Sequence, residues 1–158
     1  MNKNDICYKK NYIKEVVARL DFLNNQEEFD SNLPVEFLDN IKKRFPIAET
    51  SSGIINNIHL DKNNISKTQE SFKEWIFHGI NRDKSIKVSS KYIIVSLKKY
   101  FNKDDFINDF TTPIDLLLKK PSIQVQRTGI RFINIFDDII HEYSDIADYF
   151  SPMISSSF

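Results

Sequence analysis

Residues 12–22 alternate apolar and polar side chains, and this alternation constrains the fold more than any other feature of the chain. From Val16 every second residue is apolar, whereas Glu15, Arg19 and Asp21 occupy intervening positions. Because successive side chains of a β-strand point to opposite faces, a period of two predicts a half-buried strand. A strand of this kind belongs in a sheet that is covered on one side only.

A helix is predicted to begin at Pro34 and to end before Pro46. Proline suits the first helical position, because the N–H that it lacks would have no partner there. Glu36 in the first turn and the cations of residues 42–44 in the last turn suit the helix dipole. Apolar side chains recur at helical spacing on one stripe: Phe37, Leu38, Ile41 and Phe45.

Three further strands are predicted over residues 71–80, 85–90 and 92–97. The connections between them are short, so they are expected to form an antiparallel meander. Residues 48–70 give a weaker signal, in which isoleucines at 54, 55 and 58 favour a short strand and the surrounding asparagines dilute it.

A second helix is predicted from Asp104 or Asp105, and Pro113 is expected to kink it or divide it in two. The last strand is predicted over residues 125–136. One of its faces carries Thr128, Ile130, Phe132, Asn134 and Phe136, and the other carries Arg127, Gly129, Arg131, Ile133 and Ile135.

The predicted order is therefore β-α-β-β-β-α-β, an α+β fold with a mainly antiparallel sheet and two helices packed on one face. Residues 1–10 are expected to be a flexible N-terminus, residues 11–137 the domain, and residues 138–158 an acidic, aromatic tail. If the first and last strands are neighbours, Glu15 and Asp21 can pair with the arginines of the last strand on the uncovered face.

Composition excludes several classes of protein. The chain has 22 Lys and Arg against 22 Asp and Glu, which argues against nucleic-acid or membrane binding through bulk charge. Cys7 is the only cysteine, so an intramolecular disulfide cannot form, and this suits the cytoplasm. No apolar run approaches the ~18 residues that span a bilayer.

Catalytic signatures are weak throughout the sequence. His59, His78 and His141 are dispersed without the spacing of a metal site, and the lone cysteine lies in no activating context. The three glycines form neither a phosphate loop nor a dinucleotide fingerprint. No catalytic residue, metal or cofactor is assigned on this basis.

The most informative polar residues are Arg19, Arg127 and Arg131, which are expected on one face of the sheet. They could bind an anionic ligand or partner carboxylate, or they could pair with Glu15 and Asp21. Structural roles are assigned to Trp75, to Gly129, where a mid-strand glycine indicates a bulge or a close backbone approach, and to Asn134, which is expected to be buried and hydrogen-bonded.

RNA recognition is a further reading of residues 129–136 (GIRFINIF), which combine a basic residue with spaced aromatic residues. Phe132 and Phe136, however, share the predicted core face, where they could not stack on bases. The basic excess that single-strand binding normally uses is also absent.

Four blocks of the sequence resemble a known family in the same order. They are YKKNYIKEVVARLDF (8–22), LPVEFLDNIKKRFP (33–46), the strand around Trp75, and RTGIRFINI (127–135). Together they resemble a sporadically distributed prokaryotic family of uncharacterised proteins, whose members share an R-x-G-[IL]-R-[FY]-[IV]-N strand. The resemblance covers residues 8–152 and includes DIADYFSP at residues 145–152.

The resemblance implies that the chain corresponds to the N-terminal part of longer proteins with a second half. The family has no established activity, so no catalytic residue transfers, and its patchy distribution suggests mobile or defence-related gene systems. The predicted function is a non-enzymatic protein-interaction module with a protein partner or a second copy. The alternative is an anion-, small-ligand- or nucleic-acid-binding domain that uses the arginines.

Overall fold

The computed structural model describes residues 12–61, 64–100 and 103–136. The expected N-terminus (1–10) and tail (138–158) lie outside these residues. Within the described part, the chain forms six strands, two α-helices and one short 3-10 helix. In chain order they are β1 (Ile13–Phe22), the 3-10 helix (Glu27–Asp30), α1 (Val35–Arg44), β2 (Ile47–Asp61), β3 (Asn64–His78), β4 (Lys84–Val88), β5 (Tyr92–Leu97), α2 (Lys103–Leu118) and β6 (Val125–Asn134).

All six strands form one antiparallel sheet in the order β2-β3-β4-β5-β1-β6. Both α-helices pack on the same side, which confirms the predicted α+β class. The N-terminal strand β1 lies between β5 and the C-terminal strand β6, so the two ends of the described chain meet in the sheet. The first and last predicted strands are therefore neighbours.

The largest difference from the sequence prediction is the hairpin of β2 and β3. Each strand has 15 residues, and their register runs from Ile47 opposite His78 to Asp61 opposite Asn64. Since β4 pairs with Trp75–His78 of β3, most of the hairpin extends past β4 as a two-stranded ribbon. Ile54 and Ile58 are 60% and 61% exposed there, so the face that carries them is not buried and imposes no alternating pattern that sequence reading could detect.

The helices differ from expectation in detail. Pro34 occupies the N-cap of α1, so the helix begins at Val35, one residue later than predicted. The expected division of the second helix is wrong, because α2 continues through Pro113. Pro113 is fully buried, and the packing of its ring offsets the backbone hydrogen bond that proline cannot donate.

The core lies between the sheet and the helices. From Val16 onward, the side chains of even-numbered residues of β1 point into it, and Val16 and Ala18 have no solvent exposure. Aromatic side chains fill the layer between the sheet and α1, where the rings of Phe37 and Phe77 meet edge to face at 6.3 Å between centroids. Alternation in β1 therefore reports the buried face correctly.

The face assignments of β6 are confirmed, but the expected burial of Asn134 is wrong. Ile130 is opposite Ala18 and Phe132 is opposite Val16, so both lie on the helix side. They are nevertheless 50% and 48% exposed, and Asn134 is exposed too. The reason is position, since β6 is an edge strand whose side chains have a neighbouring strand on one side only.

We expect Phe77→Ala to lower the free energy of unfolding by ~3–5 kcal/mol, because it empties the centre of the aromatic layer. Ile58→Ala, at an exposed position of the β2–β3 ribbon, should change it by less than ~0.5 kcal/mol. Urea unfolding followed by circular dichroism measures both. Equal losses in the two variants would contradict the described core.

Candidate functional site

The side of the sheet without helices, called the open face below, carries the polar residues that sequence analysis identified. The strand β1 contributes Arg19 and Asp21 to this face. In register, Asp21 lies between Tyr92 of β5 and Arg127 of β6. Arg19 lies between Ile94 and Gly129, and Val17 lies opposite Arg131. The strand register therefore places all three predicted arginines on one surface.

Asp21 is the centre of an ion cluster, called the Asp21 triad here, with Arg19 and Arg127. Its Oδ1 accepts a hydrogen bond from Arg19 Nε at 2.7 Å. Its Oδ2 accepts a hydrogen bond from Arg127 Nε at 2.9 Å and lies 2.8 Å from an Arg127 terminal nitrogen in an ion pair. The Asp21 carboxylate is buried, whereas the Arg127 side chain is 72% exposed. The cross-strand ion pair anticipated between the first and last strands therefore forms at Asp21.

The charge state of Asp21 follows from two opposing effects. Burial raises the pKa of its carboxyl, but hydrogen bonds and the positive charges of Arg19 and Arg127 outweigh burial. The net result is a pKa below the ordinary value of 3.8. Asp21 is therefore ionised at neutral pH and holds both arginines in place.

The triad continues across the sheet through Tyr92. The Arg19 guanidinium lies 4.2 Å from the centroid of the Tyr92 ring, and the Tyr92 hydroxyl donates to Glu74 Oε1 at 2.5 Å. Burial, together with that hydrogen bond to an anion, raises the pKa of Tyr92 to about 12. The hydroxyl therefore stays protonated and continues to donate to Glu74, so polar contacts link β3, β5, β1 and β6.

Arg131 differs from the other two arginines, because it makes no ion pair with a described residue. Glu15, the other carboxylate expected to pair with the arginines, is in register with Ile133. Beside the triad lies an open depression of about 720 Å³, whose lining includes Arg19, Lys91 and Arg127. Three cations thus line this depression together with a single carboxylate, that of Asp21.

Gly129 lies on the open face between Arg127 and Arg131, and neither expected reason for a glycine is found there. The register shifts in this strand pair fall elsewhere, between Ile13 and Glu15 and between Asp21 and Phe22. A Cβ on Gly129 would meet nothing within 4 Å, and its φ is not positive. The glycine leaves a bare stretch of strand that is open to close approach from outside.

Within the described residues the backbone of β6 pairs on one side only, and its other side is called the free edge below. Phe22 of β1 donates its N–H to Lys91 O at 2.9 Å, beside β5. In an antiparallel ladder, successive residues direct their backbone groups alternately to the two neighbouring strands. The backbone N–H and C=O groups of even-numbered β1 residues therefore point to β5, and those of odd-numbered residues point to β6.

The same alternation applies to β6. Odd-numbered residues from 127 to 131 are the register partners of odd-numbered residues of β1, so their backbone groups face β1. The hydrogen bond from Ile135 N to Tyr12 O, at 3.0 Å, continues this pattern. Beyond β6 the described residues contribute no further strand. The backbone groups that point outward belong to Thr128, Ile130 and Phe132.

Sequence reasoning missed a second polar cluster, around Asp109 of α2. This carboxylate is 3% exposed and lies 2.7 Å from an Arg44 nitrogen and 3.2 Å from Lys84 Nζ. The cluster joins α2 to α1 and β4, beside a cavity of about 240 Å³ that Tyr100 also lines. An acidic residue on the buried stripe of a predicted helix was the available signal. Because its two cationic partners belong to α1 and β4, the role of Asp109 is to hold α2 against the other helix and the sheet.

The remaining predicted residues are dispersed. Trp75 Nε1 donates to Phe29 O at 2.6 Å and ties β3 to the 3-10 helix. His78 Nε2 lies 3.5 Å from a Glu49 oxygen, and Arg82 holds the other oxygen at 2.5 Å. Residues 7 and 141 lie outside the described part, and the His59 side chain is not described. Among described residues no group of three His, Cys, Asp or Glu could hold a metal ion.

Comparison with known proteins adds no relative. No protein-family model matches the chain, and no curated protein matches it in sequence. The family resemblance therefore stays a prediction from the sequence. As for membranes, neither described helix combines the length and apolar character needed to cross a bilayer.

The lowered pKa of Asp21 implies a pH dependence of stability. A carboxyl whose pKa is lower in the folded state stabilises the fold above its unfolded pKa, near 3.8, and loses that contribution as the pH falls through the folded value. We therefore expect Asp21→Asn to destabilise the chain at pH 7. The difference from wild type should shrink progressively below pH ~4.

Urea unfolding at a series of pH values measures this difference. Asp39→Asn, which removes an exposed carboxylate on α1, is the matched control. A wild-type minus Asp21→Asn difference that stays constant between pH 7 and pH 2 would show that the triad does not stabilise the fold.

Proposed function

We propose that this chain is a non-enzymatic protein-interaction module that binds its partner at β6. The observation that carries this proposal is the free edge, where an unpaired backbone is combined with half-exposed Ile130 and Phe132. Extended segments bind to such edges by adding a strand to the sheet. Backbone hydrogen bonds then supply affinity, and alternate side chains supply specificity.

The two edges of the sheet differ in a way that favours β6. Natural edge strands are usually protected from pairing with other chains by short length, charged residues, proline or bulges. In β2 the large hairpin continues as a ribbon of mostly polar residues. The exposed apolar side chains of β2, Ile54 and Ile58, lie on this ribbon, whereas those of β6 recur along the strand and just after it: Val125, Ile130, Phe132 and Ile135. Such a concentration of exposed apolar side chains is typical of surfaces that another protein covers.

The cellular setting is part of the proposal. The single cysteine supports a cytoplasmic protein that needs no disulfide, and the family resemblance supports a mobile or defence-related prokaryotic gene system.

Anion binding is the second candidate, and the position of Arg131 favours it. Arg131 faces the same side as Arg19 and Arg127 but makes no ion pair with a described residue, so it can receive an anionic group. Zero net charge disfavours long stretches of nucleic acid, which leaves a small anion or a partner carboxylate as the ligand.

Self-association gives a direct test of the β6 surface. We expect the wild-type chain to associate as its concentration rises, more so at high salt, because salt screens the arginines and strengthens apolar contacts. The double variant Ile130→Lys/Phe132→Lys should remain monomeric, since it places charges on the exposed apolar surface. Light scattering measures the mass, and circular dichroism shows that the variant is folded.

The matched control is Ile54→Lys/Ile58→Lys, which adds the same charges to the exposed ribbon. It should associate like the wild type. Association that both double variants keep, or that both lose, would count against β6 as the interaction surface, whereas a wild-type chain that stays monomeric at all concentrations and salt levels would count against a second copy as the partner.

A further inference from the structure

The two faces of β6 differ in chemistry, and this difference bears on what the free edge can bind. Arg127 and Arg131 project from the open face on either side of Gly129. Ile130 and Phe132 project from the helix side. Side chains of a strand laid beside β6 must alternate between the same two faces. A complementary strand therefore alternates acidic residues with apolar ones.

The apolar side offers a supported surface rather than mobile side chains. The Phe132 ring meets the rings of Tyr100 and Phe106, with centroids at 6.2 and 6.3 Å. Phe106 is buried in the smaller of two core clusters. The contacts with Tyr100 and Phe106 thus hold the Phe132 ring in place, while about half of the residue remains exposed. An apolar side chain on an added strand would cover the exposed part.

The cationic side has room for carboxylates. Arg127 and Arg131 are four residues apart, or ~13 Å along an extended strand, which matches carboxylates four residues apart on the added strand. Gly129 leaves space on the open face between them, since a Cβ added to Gly129 would meet nothing within 4 Å, and the residue opposite it on the added strand meets no side chain there. A glutamate at that position could reach either arginine diagonally.

A second copy of β6 fits this edge poorly. The strand contains two arginines and no acidic residue, so pairing β6 with another β6 brings only like charges together. Charge complementarity instead favours a partner that carries the opposite sign.

We propose that the free edge of β6 binds an extended segment of another protein in which acidic and apolar residues alternate, added to the sheet as a seventh strand. This rests on the proposed function and specifies its partner. The acidic residues of this segment pair with Arg127 and Arg131, and its apolar residues cover Ile130 and Phe132. Its backbone forms hydrogen bonds with the N–H and C=O groups of β6 that point away from β1.

The test is an NMR titration of the isotope-labelled full chain with three short synthetic peptides. One peptide alternates Val and Glu, the second alternates Val and Lys, and the third is the Val/Glu peptide with a central proline that removes a backbone donor. The Val/Glu peptide is expected to shift the amide resonances of Thr128, Ile130 and Phe132 and to slow their hydrogen exchange. The other two peptides are expected to bind at least about fivefold more weakly.

A charge reversal makes the test independent of simple loss of folding. Arg131→Glu is expected to lower the affinity for the Val/Glu peptide and to raise the affinity for the Val/Lys peptide, each by about two- to fivefold. Lys42→Glu makes the same change in net charge on the exposed side of α1. It should leave both affinities close to those of the wild type.

Each contrary result has a distinct meaning. Equal binding of the Val/Glu and Val/Lys peptides, or equal behaviour of the two charge variants, would overturn the acidic partner and leave the free edge standing. Shifts caused by a single-stranded oligonucleotide but by none of the peptides would overturn the protein partner. If no peptide protects the outward amides, yet Ile130→Lys/Phe132→Lys abolishes self-association, the partner is a second copy. If neither occurs, the proposed function fails as well.

Discussion

The rest of the structure depends on the alternation of side chains in β1. This strand lies between β5 and β6, and its register with both is fixed by which side chains can enter the core. Val16 and Ala18 are fully buried, and a slip of one residue would exchange them for Val17 and Arg19. Because that exchange would bury charged groups against apolar helices, the register is strongly specified.

The same register creates the polar surface and the free edge. It places Asp21 beside Arg127, so that one carboxylate holds arginines from two strands, and it aligns Tyr92 with the triad. Bonding β6 to β1 on one side leaves the opposite side of β6 without a strand in the described chain. The two faces of this edge carry different chemistry, cationic on one side and apolar on the other, because β6 itself alternates in phase with β1.

Sequence reading succeeded where a face is buried and failed where none is. β1, β4 and the faces of β6 follow from period two, and the pairing of Asp21 with Arg127 follows from placing the end strands together. In the β2–β3 ribbon the face that carries Ile54 and Ile58 is exposed, so little alternation is left to detect there. Asn134 shows a different limit, because alternation predicts the face of a residue but not whether a neighbour covers it. Asp109 was missed because its partners come from distant elements.

Amide hydrogen exchange along β6 tests the free edge most directly. At low concentration and without a partner, the amides of Thr128, Ile130 and Phe132 are expected to exchange quickly, because they point away from β1. Those of Gly129 and Arg131 are expected to exchange slowly, because they bond to β1. Uniformly slow exchange from residue 127 to residue 133 would show that both sides of β6 are paired and would contradict this account.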